Sequence, residues 1–242
     1  NLNMILENQI IYVSDNIGYL YAYDIKKDKV LWAKNYKTPF RSNMKIIKDK
    51  LIAANQNNIL YFFDKKSGDI IKSIPTEENT IKNEFISNLS SNEKYTFFLN
   101  TYGSLYAVDN NRMRILWFIN LNQSIDLNPS NLFEGNQIVI NKDKISVSSN
   151  RYTYVLDMET GSIIYKNNFT TFIKSLIIND YIFHVTKNNL LIAIYLKTGE
   201  IIYSVDINEE IAKFLKTKKR KTEFINIFMV NGKLFIFLKS SY

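Results

Sequence analysis

The sequence predicts an all-β protein, a β-propeller whose blades are four-stranded antiparallel sheets. A short phrase recurs along the chain at intervals close to 40 residues, the length of one four-stranded blade. Tyr and Phe number 16 each against 7 Gly and 3 Pro, and this aromatic-rich composition favours strands. Clusters of Asn, Asp and Gly separate the apolar runs, as tight turns require.

The recurring phrase ends on an anchor residue that is acidic in four of its five copies. The first copy reads Gly-Tyr-Leu-Tyr-Ala-Tyr-Asp and the third reads Gly-Ser-Leu-Tyr-Ala-Val-Asp. The anchors are Asp24, Asp64, Asp109, Asp157 and Tyr195, spaced 40, 45, 48 and 38 residues apart. A turn follows each anchor, and an Asp side chain can accept backbone N–H groups there. We therefore expect the four Asp residues to be structural turn anchors rather than catalytic groups.

An aromatic residue stands eight positions after most of the anchors, on the predicted outer strand. These residues are Trp32, Trp117, Tyr165 and Tyr203, and the second copy has Lys72 instead. A large side chain at this position can fill the wedge between radially arranged blades, so we expect inter-blade packing. The alternative for the two Trp residues is a platform for a ligand, but their recurrence at one position favours packing.

The spacing of turns and apolar runs divides the chain into blades. In the second copy, strands are expected at Met44–Ile47, Leu51–Asn55, Ile59–Phe63 and Ile70–Ile74. The second turn is Gln56-Asn57-Asn58, and Asn is suited to positive φ. The same pattern predicts blades at about 4–36, 43–76, 85–121, 137–169 and 175–207.

A hairpin around Asn231 and Gly232 predicts the first strand pair of a further, partial blade over 224–242. The chain is therefore expected to form an incomplete ring, about five and a half blades of a larger propeller. The end blades of such an open arc would expose unpaired strand edges, which invite aggregation or pairing with a partner. We expect the segment alone to be poorly soluble or oligomeric.

Composition and charge exclude several kinds of chemistry. The chain has no Cys, which excludes disulfides, thiolate metal sites and cysteine nucleophiles. His184 is the only histidine, so multi-histidine metal sites are excluded and we expect a packing residue. The formal charge is +8, which reflects either solvent-facing Lys residues or a preference for acidic partners or anionic lipid. No glycine-rich phosphate-binding loop is present.

The phrase Gly-x-Leu-Tyr-Ala-x-Asp, followed by Gly and then an aromatic residue, resembles the PQQ-like β-propeller repeat. The first and third copies match it best. Asp28 and Met113 stand where the pattern has Gly, Lys72 replaces the aromatic and Tyr195 the acidic anchor. These departures are typical of a drifted structural repeat. Among the members of this family, the chain is most similar to the BamB type, the outer-membrane protein assembly lipoproteins.

The family also contains quinone-dependent dehydrogenases, which form the enzymatic alternative. Resemblance to them would imply a disulfide of adjacent Cys residues against the cofactor, a calcium site and an Asp base. The chain lacks Cys, and no cluster of Asp, Glu and Asn stands out beyond the turn residues. We therefore expect no catalytic, cofactor-binding or metal-binding residue, and no cofactor.

Two segments break the blade pattern: a long polar connection over residues 120–135, and Asn208–Thr222. Asn208 is expected to cap a short helix within 208–217, with acidic residues in its first turn and Lys at its end. Its apolar face and the basic run after it form a predicted partner-binding loop of Ile211, Phe214, Leu215, Lys218, Lys219, Arg220 and Lys221. The alternative is a solvated insertion without a partner.

The resemblance implies a non-enzymatic protein-binding scaffold that serves the insertion of β-barrel proteins into the outer membrane. Its partner would be a BamA-like assembly component, with no nucleic acid involved. The expected location is the periplasmic face of the bacterial outer membrane, with a lipid anchor outside this segment. The alternatives are a quinoprotein dehydrogenase-like enzyme and another envelope or intracellular propeller scaffold.

Overall fold

The computed structural model describes residues 2–77, 86–122, 137–171 and 173–239. Within these ranges the chain forms 22 strands and one helix, which confirms the predicted all-β class. The chain divides into two compact units, Asn1–Gly135 and Asn136–Tyr242. The predicted blade limits at 85 and 242 lie outside the described residues.

The first unit holds three four-stranded antiparallel sheets, each with its strands in sequence order. Sheet 1 consists of β1 (Leu2–Glu7), β2 (Ile10–Asp15), β3 (Tyr19–Asp24) and β4 (Lys29–Asn35). Sheet 2 consists of β5 (Lys45–Ile47), β6 (Lys50–Ala54), β7 (Ile59–Asp64) and β8 (Ile70–Pro75). Sheet 3 consists of β9 (Asn88–Ser91), β10 (Tyr95–Leu99), β11 (Ser104–Asp109) and β12 (Arg114–Asn120). The strands of sheet 2 begin and end within about one residue of the predicted limits, which is the usual uncertainty of strand ends.

The second unit holds two more four-stranded sheets, one helix and a hairpin. Sheet 4 consists of β13 (Val139–Asn141), β14 (Lys144–Ser148), β15 (Thr153–Asp157) and β16 (Ile163–Asn167). Sheet 5 consists of β17 (Leu176–Ile178), β18 (Tyr181–Val185), β19 (Leu190–Tyr195) and β20 (Ile201–Asp206). The helix α1 (Ile207–Leu215) follows, and then the hairpin of β21 (Phe224–Val230) and β22 (Lys233–Leu238). Asn231 and Gly232 at its tip both have positive φ, 49° and 74°, as a two-residue turn requires.

The sheets of each unit pack face to face through their inner strands. Between sheets 1 and 2 the core consists of Tyr12, Leu20, Ala22, Phe40, Met44, Leu51, Ala53 and Phe63. A second cluster joins sheets 2 and 3, a third joins sheets 4 and 5, and a fourth joins sheet 5 to the hairpin. Each of these clusters lies between two neighbouring sheets, or between sheet 5 and the hairpin. The apolar core is therefore divided into separate clusters, as in other repeat proteins.

All five complete sheets carry a β-bulge just before the anchor position. The pairing of the third and fourth strands shifts between Ala22 and Tyr23 in sheet 1 and at the equivalent place in each other sheet. The residue left without a partner is always aliphatic: Leu31, Ile71, Leu116, Ile164 or Ile202. A bulge turns the following side chain to a new direction, and here the following position holds the recurring aromatic in four sheets and Lys72 in sheet 2. Sequence reasoning did not predict this feature.

Candidate functional site

The anchor carboxylates bind the backbone of the turn that follows them. Oδ1 of Asp64 accepts the N–H groups of Lys66 and Ser67 at 2.8 Å each. Asp109 and Asp157 accept the equivalent pair of N–H groups at 2.8–3.0 Å, and Asp24 accepts the N–H of Lys27 at 3.0 Å. These backbone hydrogen bonds lower the pKa of Asp24, Asp109 and Asp157, since they stabilise the ionised form. The carboxylates are thus already engaged by their own turns.

A second set of turn residues recurs about nine positions before the anchors. Oδ1 of Asn55 accepts the N–H groups of Asn57 and Ile59 at 3.0 Å, and Oδ1 of Asn100 does the same for Tyr102 and Ser104. The equivalent residues of the other sheets are Asp15, Ser149 and Thr186. The sequence analysis missed this set because its residue type changes from copy to copy. The constant spacing was the signal that could have found it.

Two of the recurring aromatics, Trp32 and Tyr165, pack on the turn of the next sheet. The ring of Trp32 lies on Gly68, where an added Cβ would come within 2.6 Å of it, and its Nε1 donates to the carbonyl of Lys65 at 3.2 Å. Tyr165 covers Gly199 at the same 2.6 Å, and its hydroxyl donates to the carbonyl of Leu196 at 3.1 Å. Burial raises the pKa of Tyr165 to about 12. Each ring therefore couples one sheet to the next in two ways.

The interface of sheets 2 and 3 uses different residues at the same positions. Lys72 stands in place of the ring and Met113 in place of the glycine, with φ of 51°. Met113 packs against the core cluster of these two sheets, and Phe62, which pairs with Lys72, is fully buried in it. In this interface an aromatic on the third strand and a Met on the turn fill the space that a ring on the fourth strand fills elsewhere.

Trp117 and Tyr203 complete the predicted set. Trp117 is half-buried and lies 6.0 Å from the ring of Phe97, as Trp32 lies 6.2 Å from Tyr12. Tyr203 is 42 % exposed. Among the described residues the hairpin beyond sheet 5 has no glycine turn equivalent to Gly199, so the inter-blade role of Tyr203 stays a prediction.

The helix α1 begins one residue earlier than expected and has a different cap. Asp206, not Asn208, is the N-cap: its Oδ1 accepts the N–H of Glu209 at 3.1 Å. Asn208 is buried within the helix instead, where its Oδ1 accepts the hydroxyl of Thr222. An Asp is as good a cap as an Asn, and Asp206 is already held in place as the last residue of β20. The prediction of Asn208 as the cap is therefore wrong.

The segment after α1 is tied back to the helix N-terminus. The ammonium of Lys219 forms an ion pair with Asp206, and this contact lowers the pKa of Asp206 and raises the pKa of Lys219. A solvent-open polar pocket of about 430 Å³ lies beside this contact, lined by Lys187, Asn188, Asn189, Asp206, Asn208, Lys219 and Lys221. The apolar end of the helix points elsewhere: Phe214 is 86 % exposed and Leu215 57 %.

His184 lies on β18 and is buried against the loop between β16 and β17. Its Nδ1 lies 2.7 Å from Oγ of Ser175, and its ring meets Phe169 edge to face. Burial lowers the pKa of His184 to about 3, because the charged imidazolium would lose its hydration. The ring is therefore neutral at physiological pH and has a packing position, as the sequence indicated.

Acidic and histidine side chains do not gather into a potential metal site anywhere in the part of the chain that the structure describes. In the same residues no helix is both long and apolar enough to cross a bilayer.

Stacked four-stranded sheets, carboxylate-capped turns and rings packed on the next turn define a β-propeller protein of the PQQ-like repeat class. Residues 4–205 match the family described as "Outer membrane protein assembly factor BamB". The chain therefore belongs to the BamB family, as the sequence resemblance predicted.

Solved structures with the same fold include enzymes and proteins without enzymatic description. BamB from Moraxella catarrhalis has a TM-score of 0.73 at 14 % identity, over 94 % of this chain and 67 % of its own. The computationally designed Ika8 protein has a TM-score of 0.72 at 9 % identity, over 97 % and 67 %. Quinohemoprotein alcohol dehydrogenase from Comamonas testosteroni has a TM-score of 0.64 at 12 % identity, over 84 % of this chain and 42 % of its own. Among curated protein sequences, none matches this chain at a significant level.

Proposed function

We propose that this chain is part of a non-enzymatic binding scaffold of the bacterial envelope that serves the assembly of outer-membrane β-barrel proteins. The observation that carries the proposal is the family match over residues 4–205. On this proposal the protein acts at the periplasmic face of the outer membrane and binds a BamA-like component of the assembly machinery.

The geometry of the repeat residues supports a scaffold over the dehydrogenase alternative. The acidic residues that recur in every blade but the fifth are bonded to their own turns, and the single histidine is buried and neutral. A general acid or base has to reach a substrate and exchange a proton near neutral pH. The recurrent side chains of this chain are instead engaged in holding the loops in fixed positions.

Rigid loops are what a binding scaffold requires. Both turn sets described above fix the backbone at the two ends of the central strands, through Asp157 and its equivalents at one end and Asn100 and its equivalents at the other. Loops held in this way lose little conformational entropy on binding, which favours affinity. We therefore assign protein contacts to the inter-blade loops and strand edges.

The proposal is tested by cross-linking the full-length protein in intact envelopes and identifying its products. We expect cross-links to the outer-membrane barrel assembly component, and slower barrel assembly when the protein is depleted. In parallel, the purified protein is mixed with pyrroloquinoline quinone and calcium, and reduction of a redox dye with alcohols and sugars is measured. Substrate-dependent dye reduction without any cross-link to the assembly component would replace the scaffold with the enzymatic alternative.

A further inference from the structure

The apolar stripe of α1 runs from the protein core to water. Ile207, at the start of the helix, packs against the cluster between sheet 5 and the hairpin. Ile211 is half-buried, and Phe214 and Leu215 at the end are 86 % and 57 % exposed. These positions lie on one face of a helix. The stripe therefore ends in a protruding apolar tip, formed by Phe214 and Leu215, that the fold itself leaves uncovered.

Basic residues flank this tip in the sequence and continue in the segment after it. Residues 213–221 read Lys-Phe-Leu-Lys-Thr-Lys-Lys-Arg-Lys, six basic side chains and no acidic one. Lys213 forms ion pairs with Glu209 and Glu210 at 3.0 Å, and Lys219 pairs with Asp206. Within the described residues these are the ion pairs of the segment, and the other four basic side chains, Lys216, Lys218, Arg220 and Lys221, are exposed.

The chain path returns the basic run along the helix, from the tip toward the N-terminus. Lys216 ends the helix in a left-handed conformation with φ of 52°, and its N–H bonds back to the carbonyls of Ala212 and Lys213. The backbone then turns back, and the pairing of Lys219 with Asp206 holds the basic run along the helix. The acidic residues of the helix lie in its first turn, at the opposite end from Phe214. The apolar tip is thus remote from the acidic residues of the helix, and Lys213 and Lys216 are its neighbours in the last turn and at the C-cap.

We infer that this apolar and basic tip binds the surface of an anionic phospholipid bilayer. Phe and Leu side chains enter the boundary between headgroups and acyl chains, while Lys and Arg contact lipid phosphates. A protein partner fits the tip less well. A specific protein interface usually covers about 800 Å² on each partner, whereas this tip consists of two exposed apolar side chains. A bilayer needs no matching groove, and its negative surface supplies the remaining attraction.

The test is co-sedimentation of the purified chain with lipid vesicles. One set contains phosphatidylcholine alone and the other contains about 30 mol % phosphatidylglycerol in phosphatidylcholine, enough for a strong negative surface potential. We expect at least about tenfold stronger binding to the anionic vesicles, and loss of that preference when salt is raised from about 0.05 M to about 0.5 M.

Two variants separate the roles of the tip. Lys218→Gln/Arg220→Gln/Lys221→Gln removes three of the exposed charges and leaves the Lys219–Asp206 pair intact. Its matched control, Lys26→Gln/Lys29→Gln/Lys66→Gln, removes the same charge from exposed lysines on the first two sheets. Phe214→Ser/Leu215→Ser removes the apolar end from solvent-exposed positions. We expect each tip variant to bind anionic vesicles at least about tenfold more weakly than the parent chain. The control variant should bind like the parent chain.

A substituted fluorophore gives a readout that charge alone would not move. Phe214→Trp should shift its emission to shorter wavelength when anionic vesicles are added, measured as the difference from the parent chain. Equal binding to neutral and anionic vesicles, an unaffected triple variant, or no emission shift would overturn the inference. If the tip variants lose binding to the assembly component while vesicle binding is unchanged, the tip is a protein contact instead. The vesicles contain only lipid, so failure here leaves the proposed scaffold function untouched.

Discussion

A carboxylate at the end of the third strand accepts hydrogen bonds from turn N–H groups that have no partner in a neighbouring strand. The turn after Asp157 leaves N–H groups without strand partners, and Oδ1 of Asp157 accepts those of Glu159 and Thr160 at 3.0 and 2.8 Å, together with the hydroxyl of Thr160 at 2.9 Å. In the fifth copy Tyr195 has no carboxylate. There the N–H of Gly199 donates to the carbonyl of Tyr195, and the N–H of Tyr195 donates to the carbonyl of Glu200. The carboxylate is therefore a stabilising addition to a turn that the backbone can already form.

Asp157→Ala should lower the free energy of unfolding by about 1 kcal/mol, the net value of a lost hydrogen bond. Because backbone hydrogen bonds lower the pKa of Asp157, this contribution is present above the ordinary carboxyl pKa near 4 and disappears as pH falls through the native pKa. Urea denaturation at pH 7 measures it. Lys197→Ala, an exposed residue in the turn of the fifth copy, is the control. Equal stability of Asp157→Ala and the parent chain would contradict the structural role.

The buried His184 makes stability depend on pH between 5 and 7. Its native pKa is about 3, while an unfolded histidine titrates near 6.5. Neutral His184 therefore makes its full contribution to the free energy of unfolding above pH 6.5. This contribution is lost as pH falls, because the histidine binds a proton in the unfolded state but not in the native state. By linkage, stability at pH 5 should be lower than at pH 7 by about 2 kcal/mol.

The variant His184→Gln isolates this effect, since glutamine keeps polar atoms near Ser175 but does not titrate in this range. It should be less stable than the parent at pH 7, yet show a much smaller difference between pH 7 and pH 5 in denaturation curves. The same difference in both proteins would show that other groups cause the pH dependence.

At the scale of elements, neighbouring sheets are joined where an aromatic ring on one sheet packs on a turn of the next. The bulge at Leu31 directs Trp32 away from its own sheet, and Gly68 provides a surface without a side chain to receive it. Neither element is sufficient alone, because a Cβ at the turn would occupy the space of the ring. At the interface of sheets 2 and 3 the ring is absent, and the turn position holds Met113 instead of Gly.

Gly68 and Gly232 have similar positive φ, but only Gly68 contacts an aromatic ring. Substituting each one separates the cost of backbone strain from the cost of a clash with the ring. Gly68→Ala places a Cβ within 2.6 Å of Trp32 at φ of 77°, whereas Gly232→Ala, at φ of 74°, meets no atom within 4 Å. The second variant should lose only the conformational term, about 1 kcal/mol. The first should lose about 3 kcal/mol, since the ring must also move. Thermal unfolding of both variants measures the difference, and equal losses would refute the packing role of Trp32.

The elements that could be predicted from the sequence are those written in local patterns. The strands of sheet 2 follow apolar runs bounded by turn residues and the turn at Asn231-Gly232 follows a two-residue hairpin signal, and both lie where expected. The bulges could not be predicted, because a bulge depends on the pairing partner and not on the residue inserted. The cap of α1 was missed because Asp206 also belongs to the preceding strand. The capping set of Asn55 and Asn100 was missed because its chemistry varies while its position does not.

At the scale of the whole molecule, each core cluster joins two neighbouring sheets, so stability accumulates from nearest-neighbour contacts. Such a construction allows residues to drift at one interface, as at Lys72 and Met113, without loss of the fold at the others. It also explains how the same fold occurs in BamB, in a designed protein and in a quinohemoprotein dehydrogenase at 9–14 % identity. Binding residues are often placed on loops and insertions, and α1 with its basic run is such an insertion among the described residues.

The measurement that tests the central claim most directly is a calorimetric titration of one protein sample with two ligands. The first is the purified periplasmic part of the barrel assembly component from the same organism, and the second is pyrroloquinoline quinone with calcium. A binding scaffold of the BamB type should bind the first ligand saturably and give no heat with the second. Saturable binding of the quinone, with no binding of the assembly component, would contradict the account.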